Sequence, residues 1–307
     1  MNRASYFISN KCLFGSYPTQ ENILELEQNN VKYFVDLTYP NEKKITKYYT
    51  QYDYISYPIT DHQIPTDNLS YAKFIIKLSN IIKHKCDENN KIYIHCKGGH
   101  GRAGLVVATL LIYILKISPE EGLKLTSIYH SNREVMKEKW RKLGSPQTSE
   151  QKNFVYNFTK PIYFFNDSKN DNTNISVLST YYNCNIKINN NNFLSAEAAI
   201  QAHKLIDDKD YLYKQVTCKS GKNSKLLGEK IKTNQNWDKN KYKIAYEILK
   251  IKFKSNENIK SVLLNTKLCK IVNRSDDLYW GVNYINNGSN ILGNILYKIR
   301  EELLLEI

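Results

Sequence analysis

The sequence is short of the residues that staple secreted proteins. Its six cysteines stand alone at positions 12, 86, 96, 184, 218 and 269, with no CxxC pair and no metal-ligand spacing. That excludes a disulfide framework and a zinc module, and it points to a reducing compartment, the cytosol. The longest apolar run, near 105–115, falls short of the ~20 residues a spanning helix needs. The start, MNRASYFISN, has no apolar signal core. No membrane partner, no metal and no cofactor are therefore expected. Acidic residues are scarce beside basic ones, 30 against 44, for a net charge of +14. The excess is shared: 21 basic against 15 acidic residues up to 158, then 23 against 15. No single basic tail carries it, and most lysines read as a solvated surface. A moderately basic surface suits phosphates and nucleotides; it is compatible with nucleic acid, but no nucleic-acid motif supports that partner. At 41% hydrophobic and 24% charged, 307 residues make a globular chain of two ordinary domains.

Glycine is scarce too, twelve in all, yet three fall at 98, 99 and 101. They sit in Ile92 to Gly104, IYIHCKGGHGRAG. Ile92-Tyr93-Ile94 is a buried-strand signal, and the apolar run Leu105 to Ile112 is long enough for a buried helix. Strand, glycine loop and helix N-terminus together turn backbone N–H groups toward an anion. Cys96 in that loop would feel the helix dipole, the amides and the Arg102 guanidinium, a setting that favours thiolate over thiol. Five residues separate Cys96 from Arg102, so the loop can close into a cradle and Arg102 can hold two phosphate oxygens. Phosphoryl transfer through a phospho-cysteine is the chemistry that fits.

HCKGGHGR resembles the H-C-x5-R signature loop of the cysteine-dependent tyrosine phosphatases, and the domain around it resembles their dual-specificity branch. The resemblance implies Cys96 as nucleophile and Arg102 as phosphate binder. His95, Lys97, Gly98, Gly99, His100, Gly101 and Ala103 complete the substrate-binding loop. Lys97 and His100 add basic groups, as in phosphoinositide-type members. Where the family carries Ser or Thr after the arginine, this chain has Ala103. Without that hydroxyl, the thiolate should leave phospho-cysteine slowly. A burst followed by a slower steady state is expected, and Ala103→Ser should raise the steady rate; equal rates would remove the idea.

The rest of the first half supplies context. Thr19 caps a helix to about Gln28, Val31–Leu37 and Tyr54–Ile59 read as strands, and Tyr71–Lys85 reads as a helix. Further helices are expected over Pro119–His130, Arg133–Arg141 and Ser149–Asn157. Strands alternating with helices imply a parallel-type sheet with the ligand at the carboxyl end of a central strand. Asp61, just past a strand end, resembles the family's general acid, which protonates the leaving oxygen and then activates water. The alternative for Asp61 is a turn or cap aspartate. Asp67 is the second choice as acid, and Asp36 reads as structural.

Lys160-Pro161 marks a join. Beyond it, Ile162–Phe165 reads as a strand, 166–175 as a loop, and 177–182 with 185–188 as a strand pair. Asn189–Asn192 reads as a loop. Ser195 caps a helix with Glu197 in its first turn. A helix from Lys241 to Lys252 should turn Ile244, Ile248, Ile251 and Phe253 inward, and Asn290 opens a last helix. The ordered set FLSAEAAIQAHK, SKLLG, NWD, ILKIKF, LLNT, DLYWG and NILGNILYKIR resembles the YbiA-like (NADAR) family. That resemblance implies N-glycosidase chemistry on ribosylamino-type or ADP-ribosylated substrates, with Glu197 catalytic. Asp277, Trp237, Trp280, Lys204 and Lys225 are implied as substrate contacts, with Asn290 a binding residue or a cap. Ala198, Thr180 and the lack of Glu near Asn273 depart from the family pattern.

The sequence thus predicts an α/β phosphatase-type sheet flanked by helices over 1–158, then a mainly helical α+β YbiA-like domain over 159–307. The expected protein is a bifunctional hydrolase acting on phosphorylated protein or a small phosphomonoester, with an ADP-ribose or nucleotide ligand in the second half. The alternatives are a phosphatase with a non-catalytic ligand-binding second domain, or a pseudo-enzyme that binds without turnover.

Overall fold

A computed structural model describes residues 2–165, 174–205, 207–232 and 235–306. The chain divides into two compact units, Met1–Lys160 and Pro161–Ile307.

The first unit is built on a five-stranded sheet of β1 (Ala4–Ile8), β2 (Cys12–Ser16), β3 (Val31–Asp36), β4 (Asp53–Ser56) and β5 (Lys91–Cys96). The spatial order is β1-β2-β5-β3-β4, with β1 antiparallel at one edge and every other pairing parallel. β5 lies centrally, and five of its six residues are buried, as a strand covered on both faces requires. Helices α1 (Gln20–Gln28), α2 (Asn68–His84), α3 (Arg102–Leu115), α4 (Pro119–Ser131), α5 (Glu138–Leu143) and α6 (Ser149–Thr159) complete the unit. α3 is apolar on all sides and is packed by α2, α4 and α6. β5 ends at Cys96 and α3 begins at Arg102, so the 97–101 loop sits at the carboxyl edge of the sheet.

Several local expectations hold. Thr19 accepts from the Asn22 amide and completes a reciprocal capping box. α2 and α4 start within a few residues of where the pattern put them. Others are corrected. β4 stops at Ser56, because Pro58 has no N–H to continue the ladder. Residues 133–137 are not helical: the Arg133 side chain is buried against Phe14, and the Val135 amide bonds to the Asn2 carbonyl. Asp67 caps α2, accepting from the amides of Leu69 and Ser70.

The second unit holds a parallel pair, β6 (Ile162–Phe165) with β9 (Ile271–Arg274), and a hairpin of β7 (Asn183–Ile188) and β8 (Asn191–Ser195). Around them lie α7 (Ala196–Ala202), α8 (Lys209–Val216), α9 (Gly221–Glu229), α10 (Gln235–Lys254), α11 (Glu257–Asn265) and α12 (Ile291–Glu306). Every residue of α7 is buried, and α8, α9 and α10 pack on it. Here too the sequence expectation needs correcting. Asn174–Leu178 is a 3-10 turn, not a strand. The carbonyls of Val177 and Ser179 are taken by the buried Lys252 ammonium at 2.6 and 2.7 Å rather than by a partner strand. On α10, Lys252 is buried while Ile251 is 36% exposed, the reverse of a simple apolar stripe. Only Asn189 and Asn190 form the turn; Asn191 and Asn192 open β8. Most of the loop expected over 166–175 lies outside the described residues. Among the described residues, no helix is long and apolar enough to cross a membrane.

Candidate active sites

The first site forms where β5 leaves the sheet. The amide of Tyr17 bonds to the Lys97 carbonyl, and that of Leu37 to the His95 carbonyl, so both neighbouring strands fix the path into the loop. Gly99 takes φ +74°, and a Cβ there would collide with the backbone of Gly15 and Ser16. Only glycine fits that combination. Gly101 is the N-cap of α3. Helix geometry leaves the first-turn amides of α3 without intrahelical acceptors, free to meet an anion.

Cys96 is 3% exposed at the base of this loop, and Arg102 is 1% exposed at its end. Arg102 does not stand alone. Its Nη1 and Nη2 donate to the two carboxylate oxygens of Glu42 at 2.7 and 2.8 Å, a fork-to-fork pair. Nη1 also donates to the Ile59 carbonyl at 3.0 Å, and Nη2 lies 2.8 Å from the carboxylate of Asp61. Burial pulls the Arg102 pKa down, but Glu42, Cys96 and Asp61 together raise it, so the cation is secure. Among the described residues, its buried Nε–H has no partner. Both Nη groups are thus engaged, so the two-oxygen grip on phosphate expected of Arg102 is not open in this arrangement, and Nε–H is the donor left without a hydrogen bond among the described residues.

Asp61 reaches the cradle through its loop and accepts from the His62 amide at 3.1 Å. Its side chain stays 45% exposed, open to a substrate. Gln151 ties that loop down: it is fully buried, donates to the Gln63 carbonyl at 3.1 Å and packs against Gly101. Asp67, at the helix cap, is engaged elsewhere.

His95 departs from the expected role. It is fully buried, so it cannot touch a substrate directly. Its Nε2 meets the Tyr48 hydroxyl at 2.8 Å, and its Nδ1 lies 3.7 Å from Asp36. Burial pushes its pKa down to about 4 against the opposing pull of Asp36, leaving it neutral. Asp36 is structural, accepting from Thr38 and from the Tyr54 hydroxyl. His100 is not a cation either. Burial, reinforced by Arg133, pushes its pKa down to about 4; the ring meets His130 at 2.7 Å and stacks on Trp140. Lys97 and Gly98 are accessible on the loop, and Ala103 is buried in the first turn of α3. Glu42, Gln151 and Arg133 escaped the sequence reading. Only Gln151 left a signal there, in the T-x-x-Q capping box that it shares with Thr148.

In the second unit, a cleft gathers Thr180, Glu197, Gln201, Lys225, Trp237, Asp277 and Trp280. Glu197 is 6% exposed at the start of α7. The Thr180 hydroxyl donates to one carboxylate oxygen at 2.7 Å, and the Gln201 amide donates to the other at 2.7 Å. The departure at Thr180 therefore still holds the glutamate. Asp277 lies 3.6 Å from Lys225 and accepts from the Tyr279 and Trp280 amides. Two expected contacts fall outside this cleft. Lys204 donates to the Gly228 carbonyl at 2.8 Å and lines a neighbouring groove with Trp237. Asn290 is buried, its side-chain amide accepting from the Asn273 N–H and donating to the Ile271 carbonyl.

Comparison with known proteins agrees with this division. Residues 2–155 match the family model described as the Swiss Army Knife protein, DSP-PTPase phosphatase domain, and residues 163–304 match the NADAR domain. A relative named as a candidate tyrosine phosphatase, 197R of invertebrate iridescent virus 6, is 45% identical over 56% of this chain and 56% of its own length. Its counterpart 067L of invertebrate iridescent virus 3 is 39% identical over 52% of this chain and 66% of its own length. The chain thus spans less than two thirds of these two relatives. The N-glycosidase R617 of Acanthamoeba polyphaga mimivirus is 32% identical over 47% of this chain and 97% of its own length. Through residues 2–155 the chain belongs to the Swiss Army Knife DSP-PTPase phosphatase family, and through residues 163–304 to the NADAR family.

Proposed function

We propose that the first unit hydrolyses phosphomonoesters through a phospho-cysteine and that the second cleaves N-glycosidic bonds. The observation that carries the first reading is Arg102, clamped by Glu42 with its Nε–H unpartnered, beside Cys96 and within 2.8 Å of Asp61. Sγ of Cys96 attacks phosphorus as the P–O bond to the leaving group breaks, and the departing oxygen takes the Asp61 proton. Water then attacks the phosphorus of phospho-cysteine. Asp61 accepts a proton from that water, the S–P bond breaks and phosphate leaves. Arg102 and the loop amides meet the charge that builds on the equatorial oxygens. Neutral His95 acts from below, fixing the backbone that carries Cys96.

The second reading is supported by a buried carboxylate held at both oxygens and by a relative named as an N-glycosidase. As the C–N bond breaks, Glu197 stabilises positive charge on the sugar or takes a proton from the attacking water. The substrate class is an N-ribosyl compound of the ADP-ribose or ribosylamino type. Trp237 and Trp280 offer flat faces for its base, and Lys225 offers charge for its phosphate.

The contrast between two aspartates tests the first reading. Asp61→Asn should lower kcat on an aryl phosphate by ~10²–10⁴-fold and remove the limb of the pH profile that belongs to the acid. Asp67→Asn should leave kcat near the parent value, because that side chain caps α2. Equal effects at the two positions, or none at Asp61, would overturn the assignment of the acid.

A further inference from the structure

A groove of about 320 Å³ adjoins the phosphate loop, lined by Arg3, Lys97, Gly98, His100, Arg133 and Lys137 among others. No carboxylate is among its lining residues. Glu138, next to Lys137 in the chain, pairs with Arg141 instead. Building on the phosphatase reading, we propose that this groove is a second anion subsite. The preferred substrate is then a phosphomonoester that carries at least one further phosphate beside the scissile one.

Arg133 makes the groove more than a chance cluster of surface lysines. It is only 2% exposed, yet among the described residues its side chain makes one hydrogen bond, from Nη2 to the Phe14 carbonyl at 3.2 Å. Among the described residues, its buried Nε has no partner. Burial pushes its pKa down to about 10, with Tyr93 and Cys96 opposing, so it stays charged at neutral pH. A guanidinium buried without a carboxylate is costly unless an anion compensates it. Lys97 and Gly98 of the phosphate loop line the groove together with Arg133, so the groove adjoins the cradle.

The charge balance of the cradle points the same way. Arg102 is already paired with the Glu42 carboxylate at 2.7 Å, so its field is partly cancelled before substrate arrives. The attraction for a polyanion must come from elsewhere, and the groove brings four cations together beside the loop. His100 is neutral, and its ring stacked on Trp140 forms one wall.

The test uses the full chain carrying Cys96→Ser, so that no ligand is turned over. Calorimetric affinities are compared within two pairs. One pair is inositol 1-phosphate and inositol 1,4-bisphosphate; the other is a nucleoside 5′-monophosphate and its 5′-triphosphate. The pairs separate a lipid-type headgroup from a nucleotide chain as the source of the second phosphate. Two exposed cation–phosphate contacts of ordinary strength predict about tenfold tighter binding of the polyphosphorylated member in at least one pair. Adding Arg3→Ala and Lys137→Ala should close that gap. Equal affinities within both pairs, or a gap that survives the double substitution, overturns the subsite. Hydrolysis of p-nitrophenyl phosphate by the parent chain reports separately on the chemistry. An affinity gap without hydrolysis upholds the subsite and removes the catalytic reading; hydrolysis without a gap does the reverse.

Discussion

Arg102→Lys should lower kcat on a small aryl phosphate by ~10²–10³-fold, the scale on which a donor aimed at transition-state charge is lost. The charge survives the substitution, so a deficit of that size isolates geometry. The guanidinium serves Glu42 with a parallel pair of bonds and Ile59 with another, pairs with Asp61 at 2.8 Å, and among the described residues still keeps Nε–H for an incoming oxygen. An ammonium is a point charge with three donors and cannot hold the Glu42 fork while presenting a fixed donor to phosphate. Glu42→Gln should act in the same direction more weakly, by loosening the arginine rather than removing it. Breaking a buried pair of this kind destabilises by ~3–5 kcal/mol. Chemical denaturation must therefore accompany the kinetics, and the rate loss counts only where the variant remains folded. A lysine enzyme of near-parental kcat would show that the clamp serves stability alone.

Glu197→Gln should abolish release of the base from an N-ribosyl substrate, with a loss of ~10²–10⁴-fold if the carboxylate acts on water. The substitution is close to isosteric. The Thr180 hydroxyl can turn to accept from the new amide, and Gln201 can still donate to the remaining oxygen, so folding should survive. Phosphatase turnover should be untouched, since Glu197 and Cys96 lie in separate compact units. Thr180→Ala offers a graded version, removing one bond to the carboxylate and leaving the carboxylate in place. Undiminished cleavage by Glu197→Gln would move the chemistry elsewhere. A parent chain that binds N-ribosyl ligands and cleaves none would make this cleft a binding module.

What the sequence revealed was what depends on local spacing. The loop was legible because a strand end, three glycines and a helix start stand within thirteen residues; Asp61 was singled out by its likeness to the family's acid, and it lies 2.8 Å from Arg102. Glu42 was not, because it lies sixty residues before Arg102 and nothing local marks it. Arg133 was read as part of a helix, since periodicity cannot show that a guanidinium will be drawn under Phe14. His95 was expected among the substrate-binding residues and His100 as an added positive or polar group on the loop; burial makes both neutral. In the second half, Ser195 and Glu197 were clear from capping rules, whereas the run at 177–182 looked like a strand. Its carbonyls are satisfied by a lysine more than seventy residues away, which no window of sequence reveals. Asn290 was weighed as a ligand contact or a cap; it stands at the head of α12, its carbonyl accepting from the Asn294 N–H, while its side-chain amide stitches β9 to that point.

The account rests on sulfur as the atom that receives phosphate, and trapping that species tests it most directly. The full chain is mixed with an excess of phosphorylated substrate, quenched in acid within the first turnover and digested, and the modified residue is located by mass spectrometry. The account predicts a single phosphoryl group on Cys96, absent from Cys96→Ser, which should also lose turnover. A phosphoryl group on another residue, or hydrolysis that persists in Cys96→Ser, would contradict it.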